Sequence, residues 1–493
     1  MSTLPVSITL PPTAQGGSAF TSGQNSLNGS TTDLEKTGDI NEKSLEGAIA
    51  ADIAVLKQEE ERDYHHQNKY VNGTMIWAHQ IWWIIVAIIN IPVYIYMANN
   101  EHKEKIVDWI AHAAVINLTI VILVRNELLL GAAYYSFNYI PFRRFYFHRM
   151  LHSIGGLHVG GSFAALIWIT TYVAELGKHT PLDTAMNRAL FVTALLLPVG
   201  IVVMMFFALR PLRERFHNAW EYTHRFVGWA LVLDLIAHLG VKAATLPKAR
   251  DLFIHGALPY LTIIITISIF YVWFTVTKPK VDIFANKSVA IIKFPGKPTI
   301  ADGTFARISR NWWQWHAFSV AFSDNTNPDK PRFALIVGKA GDWTNGLIGD
   351  STSGNALSAS SSVVSTPLVS CTCTMPTRGV IVTICTGAGI APALPHIRQH
   401  TSNIHLIWIG KNHRETYGEE VWASVVDNLP ADQIQLHDTG KQGRPDIKDL
   451  IIKAGKKHQA EAVFIVSNDP YTLLVMNICW RIGIRCYGAT RDS

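Results

Sequence analysis

Two histidines in one apolar stretch are the residues of this chain whose spacing most clearly allows chemistry. His224 and His238 stand fourteen residues apart within Tyr222–His238, which is apolar enough for a membrane helix. Fourteen residues make close to four helical turns, so both imidazoles leave the same helix face, about 21 Å apart along its axis. Polar side chains in membrane helices usually face the bundle interior or a functional path. On this helix alone, metal ligation and hydrogen bonding inside a bundle both stay open.

The composition of the 493 residues indicates an integral membrane protein. Hydrophobic residues make up 48% and charged residues 16% of the chain, with a mean hydropathy of +0.16, whereas soluble proteins have about 25% charged residues. The net charge of +6 forms no basic patch, which argues against a nucleic-acid partner. The lipid bilayer is therefore the predicted partner, and the length allows about three domains.

The first 280 residues divide into a polar segment and a membrane domain. Residues 1–70 are rich in polar and small residues and are predicted to be a disordered, cytoplasmic region. Residues 71–280 hold six apolar spans, each close to the ~20 residues that a bilayer-crossing helix needs: 75–97, 106–124, 145–174, 188–209, 218–240 and 257–275. Arginines concentrate in the second and fourth loops, so the positive-inside rule predicts a multi-pass protein with both termini in the cytoplasm.

The polar half of the chain predicts two further domains. Short β-type runs from Val281 indicate a small antiparallel barrel over residues 281–378, with strands at Ser288–Phe294, Gly303–Ile308, Ala317–Phe322 and Phe333–Val337. A Ser/Ala-rich loop at 351–366 is predicted to be mobile. Residues 379–493 alternate strands and helices, which predicts a parallel sheet, with strands at Val380–Cys385, Ile404–Ile409, Ile434–Leu436 and Ala462–Val466 and helices near 391–400, 418–427, 446–455 and 471–481.

A glycine-containing turn after the first of these strands predicts a dinucleotide site. The run Val382–Pro392 passes from a β-type strand through Gly387 and Gly389 into a helix. The glycines allow a phosphate to approach the backbone, and a helix N-terminus supplies N–H groups and a positive dipole end. The predicted site comprises Thr386, Gly387, Gly389 and Pro392.

Lys411, Asn412 and Arg414 follow the second strand of this sheet, where the adenosine ribose of a dinucleotide would lie. Two cations there could hold a 2′-phosphate, which favours NADPH over NADH. A solvated loop is the alternative interpretation.

Two aromatic segments carry a resemblance to a known family. They are Trp312–Ser319, which contains His316-Ala-Phe-Ser, and Gly341–Thr344, which reads Gly-Asp-Trp-Thr. Together with the spans and the glycine turn, they make the chain resemble the ferric reductase/NADPH oxidase superfamily, most closely its fungal TmpA-like integral membrane oxidoreductases. The resemblance implies a six-helix transmembrane bundle, an antiparallel β-barrel FAD domain and an α/β ferredoxin-NADP-reductase-like nucleotide domain. It also implies that FAD is held by His316, Phe318, Ser319, Gly341, Trp343 and Thr344.

The same resemblance implies two b haems between the third and fifth spans. His148 and His224 are the expected iron ligands of a cytoplasmic-side haem. The position fourteen residues past His148 is Ser162, so an outer haem would have to use His158 with His238. His158 lies only about 15 Å along the axis from His148, against about 21 Å for the other pair. Four nearby glycines would give room for a macrocycle or would equally allow close helix packing: Gly155, Gly156, Gly160 and Gly161.

These features predict a membrane-bound NAD(P)H-dependent flavin oxidoreductase. Electrons would pass from NAD(P)H through FAD and haem b to an unidentified acceptor. The resemblance implies that this transfer serves the synthesis of a metabolite or developmental signal, with a biosynthetic partner enzyme. The alternatives are a haem-free flavoprotein acting on a small molecule, a ferric-chelate reductase or superoxide-producing oxidase, and a non-enzymatic NAD(P)H-responsive sensor. Ser467-Asn468 stands where the family has Cys-Gly, which departs from its pattern for hydride transfer.

Overall fold

The computed structural model describes most of the chain from Tyr64 onwards. The described residues are 64–100, 105–137, 150–151, 153–276, 279, 281–295, 304–311, 314–324, 332–352, 362–369, 380–400 and 403–488. The predicted disordered region as far as residue 63 lies outside them, and so do His148, Trp312 and Trp313.

The regular secondary structure described before residue 281 consists of helices joined by short turns. Its helices, in chain order, are α1 (Tyr64–Ala98), α2 (Ile106–Leu123), α3 (Glu127–Phe137), α4 (Gly155–His179), α5 (Ala185–Ala208), α6 (Arg210–Arg215), α7 (His217–Thr245), α8 (Arg250–His255) and α9 (Leu258–Phe270). A five-residue π-helical turn, Thr223–Val227, lies inside α7.

Five of these helices contain segments long and apolar enough to cross a membrane: Gln80–Ala98, Ile106–Leu123, Gly155–His179, Ala185–Ala208 and His217–Thr245. The sixth predicted span corresponds to a shorter apolar segment, Leu258–Phe274. Of the third predicted span, residues 145–149 lie outside the described residues. The helix α4 begins at Gly155, directly after a turn at 153–154 in which the Ser153 N–H donates to the Met150 carbonyl over 3.1 Å.

The helices pack around an apolar core that contains much of α4. Trp168 of α4 is 1% exposed. A Cβ on Gly161 would stand 2.8 Å from Val121 Cγ2 of α2, and one on Gly160 would stand 3.4 Å from the backbone of Trp83 in α1. These two glycines therefore serve close helix packing, which is one of the two uses that the sequence leaves open.

Residues 282–369 form an antiparallel sheet with one helix. Its elements are β1 (Asp282–Ala285), β2 (Val289–Pro295), β3 (Thr304–Asn311), β4 (Gln314–Asp324), β5 (Arg332–Gly338), α10 (Asp342–Thr352) and β6 (Ser362–Val369), and its strand order is β1-β2-β5-β4-β3-β6. The four predicted strands are present. The segment predicted to be a mobile loop contains the end of α10 and the start of β6. Barrel closure is not observed, because β1 and β6 do not pair in the part of the sheet that is described.

The C-terminal sheet is parallel, as predicted. Its elements are β7 (Val380–Thr386), α11 (Leu394–Arg398), β8 (Asn403–Gly410), α12 (His413–Val426), β9 (Ile434–Asp438), α13 (Thr439–Gln442), α14 (Ile447–Lys457), β10 (Ala462–Val466), α15 (Asp469–Arg481) and β11 (Arg485–Gly488), with strand order β11-β10-β7-β8-β9. The central strands are apolar and buried, as expected for a parallel sheet covered on both faces. The edge strand β11 is not predicted by the sequence because it has only four residues.

Polar contacts join the three parts of the molecule. Arg307 of β3 pairs with Glu127 at the start of α3, which links the first sheet to the helices. Asn286 Nδ2 donates to the Thr416 carbonyl over 2.6 Å, which links the two sheets.

A buried pair of histidines in the second sheet predicts acid sensitivity. The rings of His405 and His458 stack with centroids 3.8 Å apart, and His405 is 5% exposed. Burial, and then the neighbouring His458 and Lys457, lower the pKa of His405 to about 4, below the 6.5 of an unperturbed histidine. The neutral ring therefore contributes stability that is complete above pH 6.5 and is lost as the pH falls towards 4.

We expect acidification from about pH 7 to about pH 5 to lower the free energy of unfolding by about 1 kcal/mol through this group. Thermal melting of the wild type and of His405→Phe at both pH values measures this loss of stability. Phenylalanine preserves a stacked ring but cannot bind a proton, so the variant should lose less stability on acidification. Equal losses in both proteins would contradict the assignment.

Candidate functional site

Three aromatic side chains from two elements form one cluster. His316 and Phe318 lie on the same face of β4, because strand residues two apart share a face. Trp343, in the first turn of α10, lies against both, with ring centroids 4.4 Å from His316 and 5.9 Å from Phe318. The structure thus brings together the aromatic residues of the two segments that the sequence analysis assigns to FAD.

Three buried polar atoms in these elements lack a hydrogen-bond partner within the described structure: His316 Nε2, Ser319 Oγ and Trp343 Nε1. Buried polar atoms are nearly always bonded, and leaving one unpaired costs about 1–3 kcal/mol. A bound group with polar edges would remove this cost at His316 and Trp343, and the polar isoalloxazine ring of FAD is such a group. We call His316, Phe318 and Trp343 the flavin cluster. Ser319 follows Phe318 on β4, so its side chain lies on the opposite face of the strand.

The turn Gly341–Thr344 adjoins the flavin cluster and is fixed by one hydroxyl. Thr344 Oγ1 accepts from the Ala340 and Gly341 N–H groups over 3.0 and 2.9 Å, and it donates to the Gly341 carbonyl over 3.0 Å. A Cβ built on Gly341 would meet nothing within 4 Å. Open space at the N-terminus of the 11-residue helix α10 suits the approach of a phosphate.

The flavin cluster lies close to one end of α7. Burial lowers the pKa of His316; Glu221 opposes this, and Arg225, Arg307 and His217 lower the pKa further. Three of these four charged or ionisable neighbours belong to the first turns of α7, which also hold His224. Arg225 donates to Glu221 over 2.5 Å, and its Nη1 atom is buried without a partner among the described atoms.

His158 of α4 and His224 of α7 face each other, with ring centroids 6.2 Å apart. Two imidazoles on opposite sides of one metal ion, each bound at about 2.0 Å, have ring centres about 6 Å apart. His158 Nδ1 lies 2.9 Å from the Val121 carbonyl. A carbonyl can only accept, so Nδ1 carries the proton and the lone pair of the neutral ring is on Nε2. Histidines that bind a metal typically donate their other ring N–H to a carbonyl in this way, which fixes the orientation of the ring. We call this pair the first level.

The first level corrects the pairing expected from the sequence. From the sequence, His224 is expected to pair with His148, which lies outside the described residues, and His158 is expected to pair with His238. In the structure His158 lies opposite His224, because α4 starts only at Gly155 and His158 stands in its first turn. The expected pairing of His158 with His238 is therefore wrong.

His238 belongs to a buried group of hydroxyl-bearing side chains. Its Nε2 lies 2.9 Å from Tyr172 Oη and its Nδ1 lies 2.8 Å from Thr193 Oγ1. Tyr172 follows His158 by fourteen residues, as His238 follows His224. We call Tyr172, Thr193 and His238 the second level.

The glycine turn lies at the carboxyl edge of the second sheet, between β7 and β10. Gly387 has a φ of +56°, a conformation that favours glycine. A Cβ on Gly389 would stand 2.4 Å from the Val466 carbonyl oxygen, so the close approach to β10 requires glycine. Thr386 donates to Ser467 Oγ over 2.7 Å. Nucleotides bind at this edge in open parallel sheets.

The segment that follows the turn differs from the prediction. Gly387–Ile390 forms a 3₁₀ turn, and α11 begins only at Leu394 and has five residues. Pro392 lies between them, outside the helix, and Pro395 occupies the first helical turn. The glycine geometry therefore supports a nucleotide site more strongly than the helix dipole does.

The two cations assigned to a 2′-phosphate lie in different surroundings. Arg414 donates to both carboxylate oxygens of Glu419 over 2.6 and 2.8 Å. Lys411 lies over the turn after β9, since a Cβ on Gly440 would stand 3.0 Å from its Cγ. This turn also holds the Asp438 carboxylate, which accepts from the Gly440 N–H over 2.9 Å. Only Lys411 of the two thus extends towards the next strand.

Three features of the site are absent from the sequence analysis. The π-helical turn Thr223–Val227 around His224 is one, and such turns are frequent at functional sites; no sequence signal marks it. Arg225 is the second. Tyr172 is the third. It could have been found from the sequence, because it follows His158 by the same fourteen residues that separate His224 and His238.

Comparison with known proteins relates this chain to fungal enzymes. Residues 371–493 match the family model described as adenylate-forming reductase 03009, C-terminal domain. The chain is similar to adenylate-forming reductases 06235 and 03009 of Coprinopsis cinerea, with 29% identity over 436 residues and 30% over 434. Each match covers 83% of this chain, so it includes much of the helical part as well as the sheets. The chain spans only 40% and 39% of the length of these curated relatives.

Solved reductases give a weak structural likeness. A ferredoxin NADP+ reductase from Neisseria gonorrhoeae with bound FAD and NADP matches with a TM-score of 0.32 and 15% identity, over 43% of this chain and 98% of that chain. The Amycolatopsis cytochrome P450 reductase GcoB matches with a TM-score of 0.33 and 14% identity, over 44% of this chain and 69% of that chain. Scores this low do not establish a shared fold. Membership of the ferric reductase superfamily and of its TmpA-like branch stays a prediction.

Proposed function

We propose that this chain is a membrane-bound, FAD-dependent NAD(P)H oxidoreductase that passes electrons by way of one b-type haem to a small-molecule acceptor. The observation that carries the proposal is the flavin cluster, whose unpartnered buried polar atoms lie close to the end of α7 that holds His224. FAD, when bound, takes a hydride from a nicotinamide and gives up single electrons, which is the reason to place it between a dinucleotide and a haem. The glycine turn and the first level are the corresponding protein sites.

The residues of the flavin cluster hold and orient FAD. His316 is neutral near pH 7, because burial and the nearby cations lower its pKa. A neutral imidazole offers one donor and one acceptor, and Trp343 Nε1 offers a donor. Phe318 and Trp343 supply apolar surface that excludes water from the ring.

The glycine turn holds NAD(P)H next to the flavin cluster. Gly387 and Gly389 allow the backbone to approach the phosphates. The paired hydroxyls of Thr386 and Ser467, 2.7 Å apart, offer hydrogen bonds at the end of the turn next to β10, where they orient the nicotinamide for transfer.

His158 and His224 are the residues that would hold the haem. A haem between them would supply a one-electron carrier whose potential depends on axial ligation and burial. The Val121 carbonyl fixes the orientation of the His158 ring. The unpartnered Nη1 of Arg225 is placed to bind an anionic group, because guanidinium forms strong hydrogen bonds to carboxylates and phosphates.

The acceptor is proposed to be a metabolite. The relatives that match this chain are named adenylate-forming reductases and extend well beyond the matched part. The resemblance supports electron delivery to the product of an adenylate-forming partner, in the synthesis of a metabolite or a developmental signal.

The purified full-length protein tests the flavin assignment. We expect Trp343→Ala to lower the FAD content by tenfold or more, because it removes a donor and a ring that lies against two others. Flavin absorbance after gel filtration measures this content, and exposed Trp480 on α15 provides the matched control as Trp480→Ala. Full FAD retention by Trp343→Ala would contradict the proposal.

A haem-free flavoprotein is the second candidate, because the flavin cluster and the glycine turn could transfer a hydride from NAD(P)H to a flavin without a haem. A visible spectrum separates the candidates. A Soret band with split α and β bands after dithionite reduction supports the haem, and flavin absorbance alone supports the second candidate.

Nucleotide preference is proposed to lie with NADPH and to depend on Lys411. We expect Lys411→Ala to lower kcat/KM for NADPH by about tenfold relative to NADH, since the loss of one charged hydrogen bond is worth about 1.5–3 kcal/mol. The matched control is Arg414→Ala, which should leave the ratio unchanged because Glu419 already binds that guanidinium. An unchanged ratio in Lys411→Ala would discard the 2′-phosphate role.

A further inference from the structure

The first and second levels lie at equal spacing on α4 and α7. The steps from His158 to Tyr172 and from His224 to His238 are both fourteen residues, about 21 Å along a helix. The facing rings are 6.2 Å apart at the first level and 5.6 Å apart at the second. The two helices therefore run in the same direction and stay side by side over both levels.

Both ring nitrogens of His238 are bonded to hydroxyl groups. Thr193 Oγ1 lies 2.8 Å from Nδ1 and is also 2.9 and 3.1 Å from the Ala189 and Leu190 carbonyls. Tyr172 Oη lies 2.9 Å from Nε2. A neutral imidazole has one donor and one acceptor nitrogen, so one hydroxyl accepts from the ring and the other donates to it.

The two levels differ in the group that faces the histidine. At the first level the ring that faces His158 is a second imidazole. At the second level the facing group is a hydroxyl that is already hydrogen-bonded to His238 Nε2. Tyr172 and His238 are 4% and 5% exposed and in direct contact, so no macrocycle fits between them.

We infer that the second level is a hydrogen-bonded triad that closes this position to metal, so that the helices carry electrons to one level only. The inference rests on the proposed function for the haem at the first level. Its consequence is that electrons do not cross the ~21 Å from the first level to the second level. The acceptor is therefore reduced at the end of the helices where the flavin cluster lies, on the same side of the membrane as NAD(P)H.

Haem stoichiometry tests the number of levels. We expect the full-length protein, expressed with excess haem b, to bind one haem per chain by pyridine haemochrome assay. His238→Leu and Tyr172→Phe should keep that ratio and the reduced α band. Two haems in the wild type, with half lost in His238→Leu, would overturn the inference.

A double-variant cycle tests the triad independently of haem. Tyr172→Phe and His238→Leu should each lower the melting temperature, and the double variant should melt no lower than the worse single variant, because both remove the same bond. Additive losses would overturn the triad. A wild type without any haem would count against the proposed function, whereas the triad would still stand or fall by this cycle.

Sidedness tests the consequence for the acceptor. In proteoliposomes with NADPH added outside, the protein molecules that are inserted with both sheets on the outer side should reduce external ferricyanide. Ferricyanide trapped inside should remain oxidised. Reduction of the trapped pool would show that electrons cross and would overturn the inference.

Discussion

Replacement of His224 by alanine is expected to abolish the Soret absorbance of the purified protein while its flavin absorbance persists. The ring of His224 lies 6.2 Å from that of His158, and a b-type haem held between two histidines loses an axial ligand when either is removed. The proposed flavin site is formed by β4 and α10, which do not contain the substituted residue. Haem content should therefore fall by tenfold or more, with the FAD-to-protein ratio unchanged.

The matched control for His224→Ala is a histidine on α4, the helix that carries His158. His179 is an exposed histidine at the end of α4, and His179→Ala should keep the full haem spectrum, whereas His158→Ala should lose it as His224→Ala does. Pyridine haemochrome and flavin fluorescence on the same preparations measure both cofactors. An intact haem spectrum in His224→Ala would refute the first level as the ligand pair.

The helices and strands could be predicted because apolar periodicity is a local property. The spans at 106–124 and 188–209 agree with α2 and α5 to within a few residues. The short edge strands β1 and β11, four residues each, depend on pairing with distant strands and leave too little periodicity to be recognised.

The level of a side chain along a helix could not be predicted from the same patterns. The residue fourteen positions after His148 is Ser162, whereas the residue fourteen positions after His158 is Tyr172. The choice depends on where α4 begins, which the turn at 153–154 determines. The partner of Tyr172 is His238, sixty-six residues away, and such a contact has no local signal.

The assignment of the flavin and nucleotide motifs to FAD and NAD(P)H stays a prediction, and the structure adds contacts that the motifs do not contain. The sequence placed His316 and Trp343 in one site, but the unpartnered state of their nitrogens arises from burial by other elements. Arg414 looked like a phosphate ligand in the sequence, and only the fold shows that Glu419 already binds it.

Gly389→Ala is expected to have the largest effect on the nucleotide site. The new Cβ would stand 2.4 Å from the Val466 carbonyl oxygen and 3.2 Å from the Val466 carbonyl carbon and Cγ1. Val466 ends β10, which is paired with β7, so its carbonyl cannot move away without breaking the sheet. The turn must shift instead, at about 1–3 kcal/mol of stability, and the backbone that meets the dinucleotide shifts with it.

Flavin reduction by NADPH should consequently slow by at least tenfold in Gly389→Ala, while dithionite still reduces the flavin fully. Anaerobic stopped-flow absorbance measures the rate, and a thermal melt measures the stability. Gly349→Ala is the matched control, because a Cβ at that exposed position in α10 meets nothing within 4 Å; it should retain both the rate and the melting temperature. A wild-type rate in Gly389→Ala would mean that the turn after β7 does not hold the dinucleotide, whatever the stability of the variant.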